Sequence, residues 1–333
     1  MSQWNAVKKI WAMACDISKQ RGGSKIRYFI DGISCGYRHG ASPENYKVLR
    51  FYEKNTRERA TYLTSGRSVK ADRELNRTMT PEDNKIMARK SLFYKKYEGL
   101  IKRKWCYVPE CSFSQMAAFL EGKEVVICKP DRGIMGHGIE KKKVGEIEDL
   151  EAFYRKGQQE NLLLEECIIQ HDSLEKISPG CVSTIRINAA RDGKGEICLV
   201  GACLKGGRAG AVADNFHSGG VAYPVGLESG RILGPGRNNT EIKDYTLHPG
   251  SEVTMPGLEI PHWNHILETV QLAMERMPHV GYVGWDIAVT PDGCELVEGN
   301  CHWPGGNIIQ LDNVGKYPIL EACMRFGSDK ETK

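Results

Sequence analysis

The sequence predicts an α+β protein in which a helical amino-terminal lobe precedes a body of short strands. Residues 1 to about 120 are rich in charge and carry apolar side chains at helical intervals, as at Tyr46, Leu49 and Tyr52. From Val125 onward the pattern changes to short β-rich runs bounded by glycine, aspartate, proline or serine. These runs are VVICKP, NLLLEECII, CVSTIRINAA and EICLVGACL.

The carboxyl-terminal third adds one helix and a strand pair to this body. The segment PHWNHILETVQLAMERM predicts a helix that begins at Pro261, because proline suits the first turn of a helix. The segment VGYVGWDIAVTPDGCELVEGN then predicts two strands joined by the turn Pro291-Asp292-Gly293. The strand pair brings distant polar residues side by side.

Composition excludes several classes of protein. Lys and Arg number 46 against 42 Asp and Glu, and the excess of +4 is too small to imply a nucleic-acid surface. No stretch approaches the roughly 20 apolar residues of a membrane span, and MSQWNAVKKI lacks the apolar core of a secretion signal. The 12 cysteines form no CxxC pair of the kind that binds zinc. We therefore expect a cytoplasmic protein with neither a nucleic-acid nor a membrane partner.

A glycine-rich segment follows a strand that ends in a lysine. In VVICKPDRGIMGHGI, Lys129 ends the strand, and Gly133, Gly136 and Gly138 follow it. The lysine precedes the glycines, which is not the order of a Walker loop. This order suits a phosphate contact by Lys129 under a glycine hairpin whose backbone N–H groups approach the nucleotide closely. A simple flexible hairpin is the alternative interpretation.

Asp286, Glu298 and Asn300 form a candidate magnesium site. Positions 298 and 300 differ by two, so on a strand their side chains share a face, and the hairpin brings Asp286 alongside them. Magnesium prefers oxygen donors and takes its remaining ligands from water and substrate phosphates. The surrounding sequence is apolar, and buried unpaired carboxylates are costly, which favours a metal over solvated acids.

The segment LLLEECIIQHD is an apolar run interrupted by Glu165 and Glu166. A strand that becomes a linker at this point offers backbone groups to the edge of an adenine ring. Asp172, a few residues further on, is a candidate partner for ribose hydroxyls. By itself the segment also fits an ordinary strand with an acidic end.

Taken together and in this order, these segments resemble the ATP-grasp superfamily, and in particular its branch of sugar-transfer-associated ATP-grasp proteins. The resemblance covers nearly the whole chain and implies the ATP-grasp fold, in which two α+β subdomains clasp ATP. It implies a helical lobe at residues 1–84, a first subdomain at 85–175 and a second at 176–333. The segments that carry it are FIDGISCGYRHGASPENYKVLRFYEKNTRERATYLT, LNRTMTPEDNK, ICKPDRGIMGHGI, LLLEECIIQHDSL, VSTIRINAA, VADNFHSGGVAYPV and GWDIAVTPDGCELVEGN.

The resemblance also implies roles for single residues. Lys85 of DNK and Lys129 would contact the nucleotide phosphates, under a loop formed by Gly133, Gly136 and Gly138. Glu165, Glu166 and Ile168 would line the adenine hinge, and Asp172 would bind the ribose. Asp286, Glu298 and Asn300 would hold Mg²⁺, with Mn²⁺ as an alternative. Arg186 and Lys205 would meet the γ-phosphate and the acyl phosphate.

Two features depart from the family pattern. ATP-grasp chains usually open with a strand-rich lobe, whereas this one opens with helices, so the acceptor-binding lobe cannot follow the usual plan. Many relatives carry arginine where this chain has Lys205, which replaces a planar fork by a point charge.

Several histidines are weaker candidates. His217 lies in DNFHSGGVAYPV and is a candidate base for the acceptor, with a structural, hydrogen-bonded histidine as the alternative. His302 and Trp303 follow the predicted metal strand, where a packed loop is the simpler interpretation. His262 and His265 are interpreted as surface or capping groups at a helix start.

The implied reaction is an ADP-forming ligation of a carboxylate to an amine through an acyl phosphate. Phosphoryl transfer needs cations and positioning more than covalent chemistry, and Lys129, Arg186 and magnesium would supply the charge. The expected partners are ATP and small-molecule or peptide carboxylates and amines, and a homodimer is left open. A phosphotransferase and a nucleotide-binding protein of a sugar-transfer pathway are the alternatives.

Overall fold

A computed structural model describes residues 3–133, 138–207, 214, 216, 219–251 and 253–328. Helices occupy the amino-terminal part, and two antiparallel sheets follow them along the chain. The predicted α+β class with a helical amino-terminal region is therefore confirmed. None of the helices in these ranges has the length and apolar character needed to cross a membrane.

Short helices make up the amino-terminal region. Several of them begin at a capping box, as at Ser42 and Thr80, where the side chain accepts a backbone N–H and a proline follows. The single period predicted through Tyr46 and Tyr52 is broken at Arg50, whose positive φ of 52° ends the helical path. The helices are α1 (Gln3–Arg21), α2 (Lys25–His39), α3 (Pro43–Val48), α4 (Thr56–Ala60), α5 (Ser65–Leu75), α6 (Pro81–Ala88) and α7 (Lys90–Lys96).

The first sheet has four strands in the order β1-β4-β2-β3. Its small core packs Val126 and Leu164 of the sheet against Met116 and Leu120 of a covering helix. The register places Lys129 of one strand beside Leu163 of the next, and Ile127 beside Glu165. The elements are β1 (Trp105–Tyr107), α8 (Phe113–Leu120), β2 (Val125–Pro130), β3 (Glu140–Lys143), α9 (Leu150–Gln159), β4 (Leu162–Glu165) and α10 (Asp172–Glu175).

The second sheet has five strands in the order β7-β6-β5-β8-β9. One face carries Ile187 and Trp285 and packs against Val270 and Met274 of a long helix. The elements are β5 (Thr184–Arg191), β6 (Ile197–Gly206), β7 (Val221–Val225), α11 (Trp263–Arg276), β8 (Tyr282–Thr290), β9 (Gly293–Asn300) and α12 (Tyr317–Ser328).

Helices of the amino-terminal region share a core with the second sheet. Tyr46 and Leu63 belong to the same buried cluster as Val200 of β6 and Leu320 of α12. Asn76, just after α5, fastens this contact, because its Oδ1 accepts the backbone N–H groups of residues 281 and 282 at 2.8 and 2.9 Å. The boundary expected at residue 84 stays a prediction, and the helices continue to Lys96.

The strand pair predicted around the turn at 291–293 is present as β8 and β9. The helix expected from Pro261 begins at Trp263. The interrupted apolar run does not resume as a strand, since β4 ends at Glu165 and residues 166–171 are neither helix nor strand. The short strands β1, β3 and β7 were not predicted. Strand β3 is the sequence EKKK, which carries no apolar signal and is recruited by pairing with β2.

Gln310 is a buried amide that joins the amino-terminal loop to the carboxyl-terminal segment. Its Nε2 donates to the carbonyl oxygens of Leu63 and Gly306 at 3.0 and 2.7 Å, and its Oε1 accepts from the backbone N–H groups of Leu63 and Lys316. Four backbone groups therefore depend on one side chain.

Replacing Gln310 with alanine should lower the free energy of unfolding by about 3 kcal/mol, because buried backbone groups lose their partners. Urea unfolding followed by circular dichroism measures this loss. The control is Gln271→Ala on the exposed side of α11, which should change stability by less than about 0.5 kcal/mol. Equal small losses in both variants would show that the Gln310 amide does not hold the two segments together.

Candidate active site

Arg103 joins the two sheets through buried carboxylates. Its Nε donates to Glu165 Oε2 of β4 at 2.8 Å, and its Nη1 donates to Glu295 Oε2 of β9 at 2.9 Å. The Arg103 side chain is only 2% exposed. Because both acceptors are charged and the donor is a rigid planar fork, this contact sets the position of β4 relative to β9.

Lys129 meets the same cluster from β2. Its Nζ lies 2.6 Å from Glu165 Oε1 and 2.6 Å from the hydroxyl oxygen of Tyr94. The Tyr94 hydroxyl also donates to Glu165 Oε2, so it acts as donor and acceptor together. Burial by itself raises the pKa of Glu165, but the charges of Arg103 and Lys129 outweigh it and lower that pKa to about 2. The site residue Glu165 is therefore a charged carboxylate that holds Lys129 in place.

A row of polar side chains crosses the second sheet in register. Arg186 of β5 pairs with Asp286 of β8, and Asp286 pairs in turn with Glu298 of β9. A shift of register directly after Asp286 lets Glu298 stand opposite it, as β-bulges beside active sites commonly do. The sequence expectation that Asp286, Glu298 and Asn300 lie together agrees with this geometry, while their role as ligands stays a prediction.

Asp286 is engaged by two cations. Arg186 donates to its two oxygens through Nε and Nη2, both at 2.7 Å, and Lys205 Nζ lies 3.0 Å from Oδ2. Burial raises the pKa of Asp286, but these two charges hold it well below its usual range. Lys205 also lies 3.5 Å from Asp214 Oδ1. Arg186 and Lys205 therefore position Asp286 in the free protein.

Glu298 is the open carboxylate of the row. Its side chain is exposed to solvent, although nearby protein atoms partly desolvate the carboxyl group. This desolvation and the negative charge of Asp286 raise the pKa of Glu298. Asn300 Nδ2 donates to Glu298 Oε1 at 3.1 Å.

Two carboxylates and an amide supply the hard oxygen donors that magnesium prefers, so the residues fit this metal. A divalent cation would also relieve the repulsion between Asp286 and Glu298, which the raised pKa of Glu298 expresses. Within the described ranges no three His, Cys, Asp or Glu side chains form a metal-binding group. The Asn300 amide, bonded to Glu298, is the third oxygen-bearing side chain beside these two carboxylates, and its role as a ligand stays a prediction.

Lys90, which the sequence analysis did not select, points into the site from the start of α7. Its Nζ donates to the carbonyl oxygen of Gly133 at 3.3 Å. Burial lowers the pKa of the Lys90 ammonium, the charge of Lys129 lowers it further, and Glu298 acts in the opposite direction. Lys85, the residue predicted from the sequence, is 51% exposed on α6 and pairs with Glu82. The signal that could have revealed Lys90 is its place at the start of a helix that leads into the buried Tyr94.

The glycine segment lies at the turn between β2 and β3. Gly138 has a positive φ of 77°, and a Cβ there would come within 3.1 Å of Pro130 Cδ, so only glycine fits without strain. Gly133 accepts the Lys90 contact through its carbonyl oxygen. Gly136 lies outside the described residues. The loop role of the three glycines stays a prediction.

The adenine and ribose assignments rest on residues after β4. Glu166 accepts the backbone N–H of Lys104 at 2.9 Å and pairs with Lys123 at 3.3 Å, while Ile168 is half-buried. Asp172 is exposed in the first turn of α10. These contacts leave the hinge and ribose roles as predictions.

The histidine candidates are distributed differently. His217 lies outside the described residues, so its role as a base stays a prediction. His302 is exposed and lies 3.3 Å from Asp72 Oδ2 and 3.2 Å from Asn84 Oδ1, which links two helices of the amino-terminal region to the loop after β9. His262 contacts the carbonyl oxygen of Pro291 at 3.2 Å, as expected of a surface group.

Comparison with known proteins gives one family. The family described as sugar-transfer associated ATP-grasp matches residues 107–323. No curated protein matches the chain.

Three of the solved structures similar to this chain are ligases. The D-alanine-D-alanine ligase of Helicobacter pylori is 12% identical with a TM-score of 0.44, over 73% of this chain and 62% of that chain. The L-amino acid ligase of Bacillus licheniformis is 10% identical with a TM-score of 0.42, over 75% of this chain and 51% of that one. The ATP-grasp ligase PsnB with minimal precursor is 14% identical with a TM-score of 0.43, over 74% and 62%.

The chain thus spans less than two thirds of the length of each of these ligases. At these sequence identities and TM-scores, the substrate and the reaction of these ligases cannot be assigned to this chain.

Replacing Arg103 with methionine should cost about 3 to 5 kcal/mol of stability at pH 7, because the buried Glu295 loses its cation and Glu165 keeps only Lys129. A depressed pKa of about 2 means that the stability contributed by Glu165 is complete above its unfolded pKa of 4.5 and is lost as the pH falls toward 2. The deficit of the variant should therefore narrow below pH 4.5.

Urea unfolding at pH 7.5 and pH 3.5 measures both effects. Arg155→Met is the control, since Arg155 is 62% exposed and pairs only with Glu151, and it should lose less than about 0.5 kcal/mol. A deficit that does not change with pH would show that the carboxylates are not the partners whose charge Arg103 balances.

Proposed function

The chain belongs to the sugar-transfer-associated ATP-grasp family, and from that premise we propose that it is an ATP-dependent, ADP-forming ligase that joins a carboxylate to an amine. The observation that carries the proposal is the charge arrangement of the site. Lys90 and Lys129 approach from one sheet and its neighbouring helix, and the row containing Asp286 and Glu298 approaches from the other. Cations for phosphates and oxygen ligands for a metal thus face each other.

Lys129 and Lys90 are the proposed phosphate contacts. Lys129 is held by Glu165 in the free protein, so its ammonium is oriented before a nucleotide arrives. Lys90 is bonded only weakly to a carbonyl oxygen at 3.3 Å, which a phosphate oxygen replaces at little cost. Lys85 keeps its sequence-based assignment as the competing candidate.

Glu298, Asn300 and Asp286 would hold magnesium. When bound, the metal would neutralise charge on the terminal phosphates and so favour phosphoryl transfer. Asp286 contributes a carboxylate whose charge Arg186 and Lys205 maintain. The raised pKa of Glu298 belongs to the protein without metal, because a bound divalent cation would lower that pKa again.

Arg186 and Lys205 are the residues proposed to meet the charge that develops on the terminal phosphate. Arg186 donates to Asp286 through Nε and Nη2 and to the carbonyl oxygen of Pro304 through Nη1, so its main proposed contribution is to hold Asp286 in position. Lys205 has three N–H donors and two carboxylate neighbours, which leaves it one donor for an acyl phosphate. In this scheme the substrate carboxylate attacks the γ-phosphorus, ADP leaves, and the amine then displaces phosphate from the acyl carbon. His217 is the proposed base for the amine.

The remaining assignments are proposals as well. The adenine hinge is assigned to Glu165, Glu166 and Ile168, and the ribose to Asp172. A cytoplasmic location is proposed because all 12 cysteines are free, as in a reducing compartment. The substrates are proposed to be a small-molecule or peptide carboxylate and an amine.

A phosphotransferase on the same site is the alternative function. It would use the same lysines and metal ligands but transfer phosphate to a stable acceptor, so the products distinguish it from a ligase. A nucleotide-binding protein without turnover is disfavoured by Glu298, since an accessible carboxylate beside Asp286 serves no purpose in packing.

Lys90→Ala should weaken binding of magnesium ATP by about 1.5 to 3 kcal/mol, or roughly ten- to 150-fold, because a charge-assisted contact is lost. Lys85→Ala is the matched control, since it removes the same group from an exposed position five residues earlier. Isothermal calorimetry measures both affinities. A loss of affinity in Lys85→Ala alone would assign the phosphate contact to Lys85, and unchanged affinity in both variants would show that neither lysine contacts the nucleotide.

A hydroxylamine assay tests the reaction itself. Purified protein with ATP and magnesium is screened against amino acids, peptides and sugar acids, and ADP, AMP and hydroxamate are followed together. With the correct acid, hydroxylamine should intercept the acyl phosphate, so that hydroxamate forms in step with ADP. Glu298→Gln should lower this rate by at least about a hundredfold, as expected when a metal ligand loses its charge.

Glu228→Gln, an exposed carboxylate outside the site, is the control and should react normally. AMP and pyrophosphate would indicate an acyl adenylate instead. A stable phosphorylated product without hydroxamate would place the protein with the phosphotransferases.

A further inference from the structure

Helix α2 exposes a stripe of large apolar side chains. Ile26, Ile30, Ile33 and Tyr37 recur at intervals of three and four residues and are 57, 61, 44 and 92% exposed. The opposite face of the same helix holds its buried residues, Gly32, Cys35 and His39. The stripe therefore points away from the core, and packing within this chain does not explain it.

Helix α1 extends the apolar surface. Trp4, Val7 and Trp11 are 68, 40 and 40% exposed, again at helical intervals. The Trp11 ring lies 5.3 Å from the ring of Phe29 in α2, so the two helices present one connected surface. We name this surface the hairpin face: Trp4, Val7, Trp11, Ile26, Ile30, Ile33 and Tyr37.

Positive charge is concentrated in the segment that carries the hairpin face. Residues 1–40 contain seven basic and two acidic residues, a net charge of +5, whereas the whole chain carries only +4. Residues 41–333 therefore have a net charge of −1. Two of the lysines lie directly against the exposed tryptophans, Lys8 over Trp4 at 5.8 Å and Lys25 over Trp11 at 5.6 Å.

We propose that the hairpin face docks on the surface of an anionic lipid bilayer, contrary to the expectation from composition that the protein has no membrane partner. Basic helices with tryptophan and isoleucine on one side lie in the membrane interface, where the apolar groups enter the headgroup boundary and the cations meet lipid phosphates. Tryptophan suits this boundary because its ring is apolar and its N–H is polar. The surface lies on two helices rather than within one long apolar segment, so the contact is peripheral and does not cross the bilayer.

Charge decides against a second copy as the occupant. Two hairpin faces brought together would each contribute the +5 charge of residues 1–40, and like charges at a close interface repel. An anionic bilayer offers apolar depth and opposite charge in the same place. This proposal does not depend on the ligase reaction, because none of the site residues lies on α1 or α2.

Co-sedimentation of the full chain with vesicles tests the proposal. The vesicles are phosphatidylcholine alone and phosphatidylcholine with about a third phosphatidylglycerol. The protein should sediment with the anionic vesicles, bind much less to neutral ones, and be released by salt as screening increases. Ile30→Glu should lower the partition coefficient at least about tenfold, since it places a charge in the contact.

Leu272→Glu is the matched control, because Leu272 is 47% exposed on α11, on another part of the surface. It should change binding by less than about twofold. Equal melting temperatures of both variants show that the fold is intact. Absence of binding, equal binding to neutral vesicles, or no effect of Ile30→Glu overturns the proposal. A dimer seen by light scattering that Ile30→Glu dissolves would also overturn it, since the occupant is then a second copy.

Discussion

The contact between Arg103 and the carboxylates of Glu165 and Glu295 determines how the two sheets meet. A guanidinium bonded to two buried carboxylates is most stable when its other donors also find partners, and here Nη2 donates to the Tyr94 hydroxyl and Nη1 to the Leu296 carbonyl oxygen. A small relative shift of the sheets would leave charges unpaired in the interior. Because Lys129 is bonded to the same Glu165, the position of a proposed phosphate contact follows from the contact that joins the sheets.

The second sheet solves a different electrostatic problem. Asp286 and Glu298 stand opposite each other, and two neighbouring carboxylates cannot both be charged at low cost. Arg186 and Lys205 balance Asp286, whereas Glu298 keeps a raised pKa. The free protein thus holds one balanced and one unbalanced carboxylate, and this difference supports the proposed magnesium contact at Glu298.

The amino-terminal helices have a buried face that packs against the second sheet and an exposed apolar face. Toward the sheet they share a core with β6 and α12, and Asn76 and Gln310 tie their loops to the rest of the chain. Away from the sheet, α1 and α2 leave seven apolar side chains exposed, in a segment of 40 residues whose net charge of +5 exceeds the +4 of the whole chain. The same helices therefore complete the body of the protein and present its most distinctive outer surface.

Much of the site could be predicted from the sequence because its determinants are local. The spacing of Glu298 and Asn300 places them on one face of any strand, and the turn at 291–293 brings Asp286 beside them. The strand that contains Lys129 could also be predicted, since a short apolar run rich in β-branched residues indicates a strand by its local sequence. The α+β class and the helical opening follow from the same periodicities.

Other features depended on partners that are distant in the chain. Lys90 reaches the candidate site because the start of α7 is bonded to Asp131, directly after β2, and a local sequence pattern does not contain this contact. The ion pair of Glu165 with Arg103 joins residues 62 positions apart, and that of Asp286 with Arg186 joins residues 100 positions apart. Strand β3 exists only through its pairing with β2. The hairpin face shows the same limit, because the sequence alone gives the helical period of Ile26, Ile30 and Ile33, and only packing of the opposite face decides that these side chains remain outside.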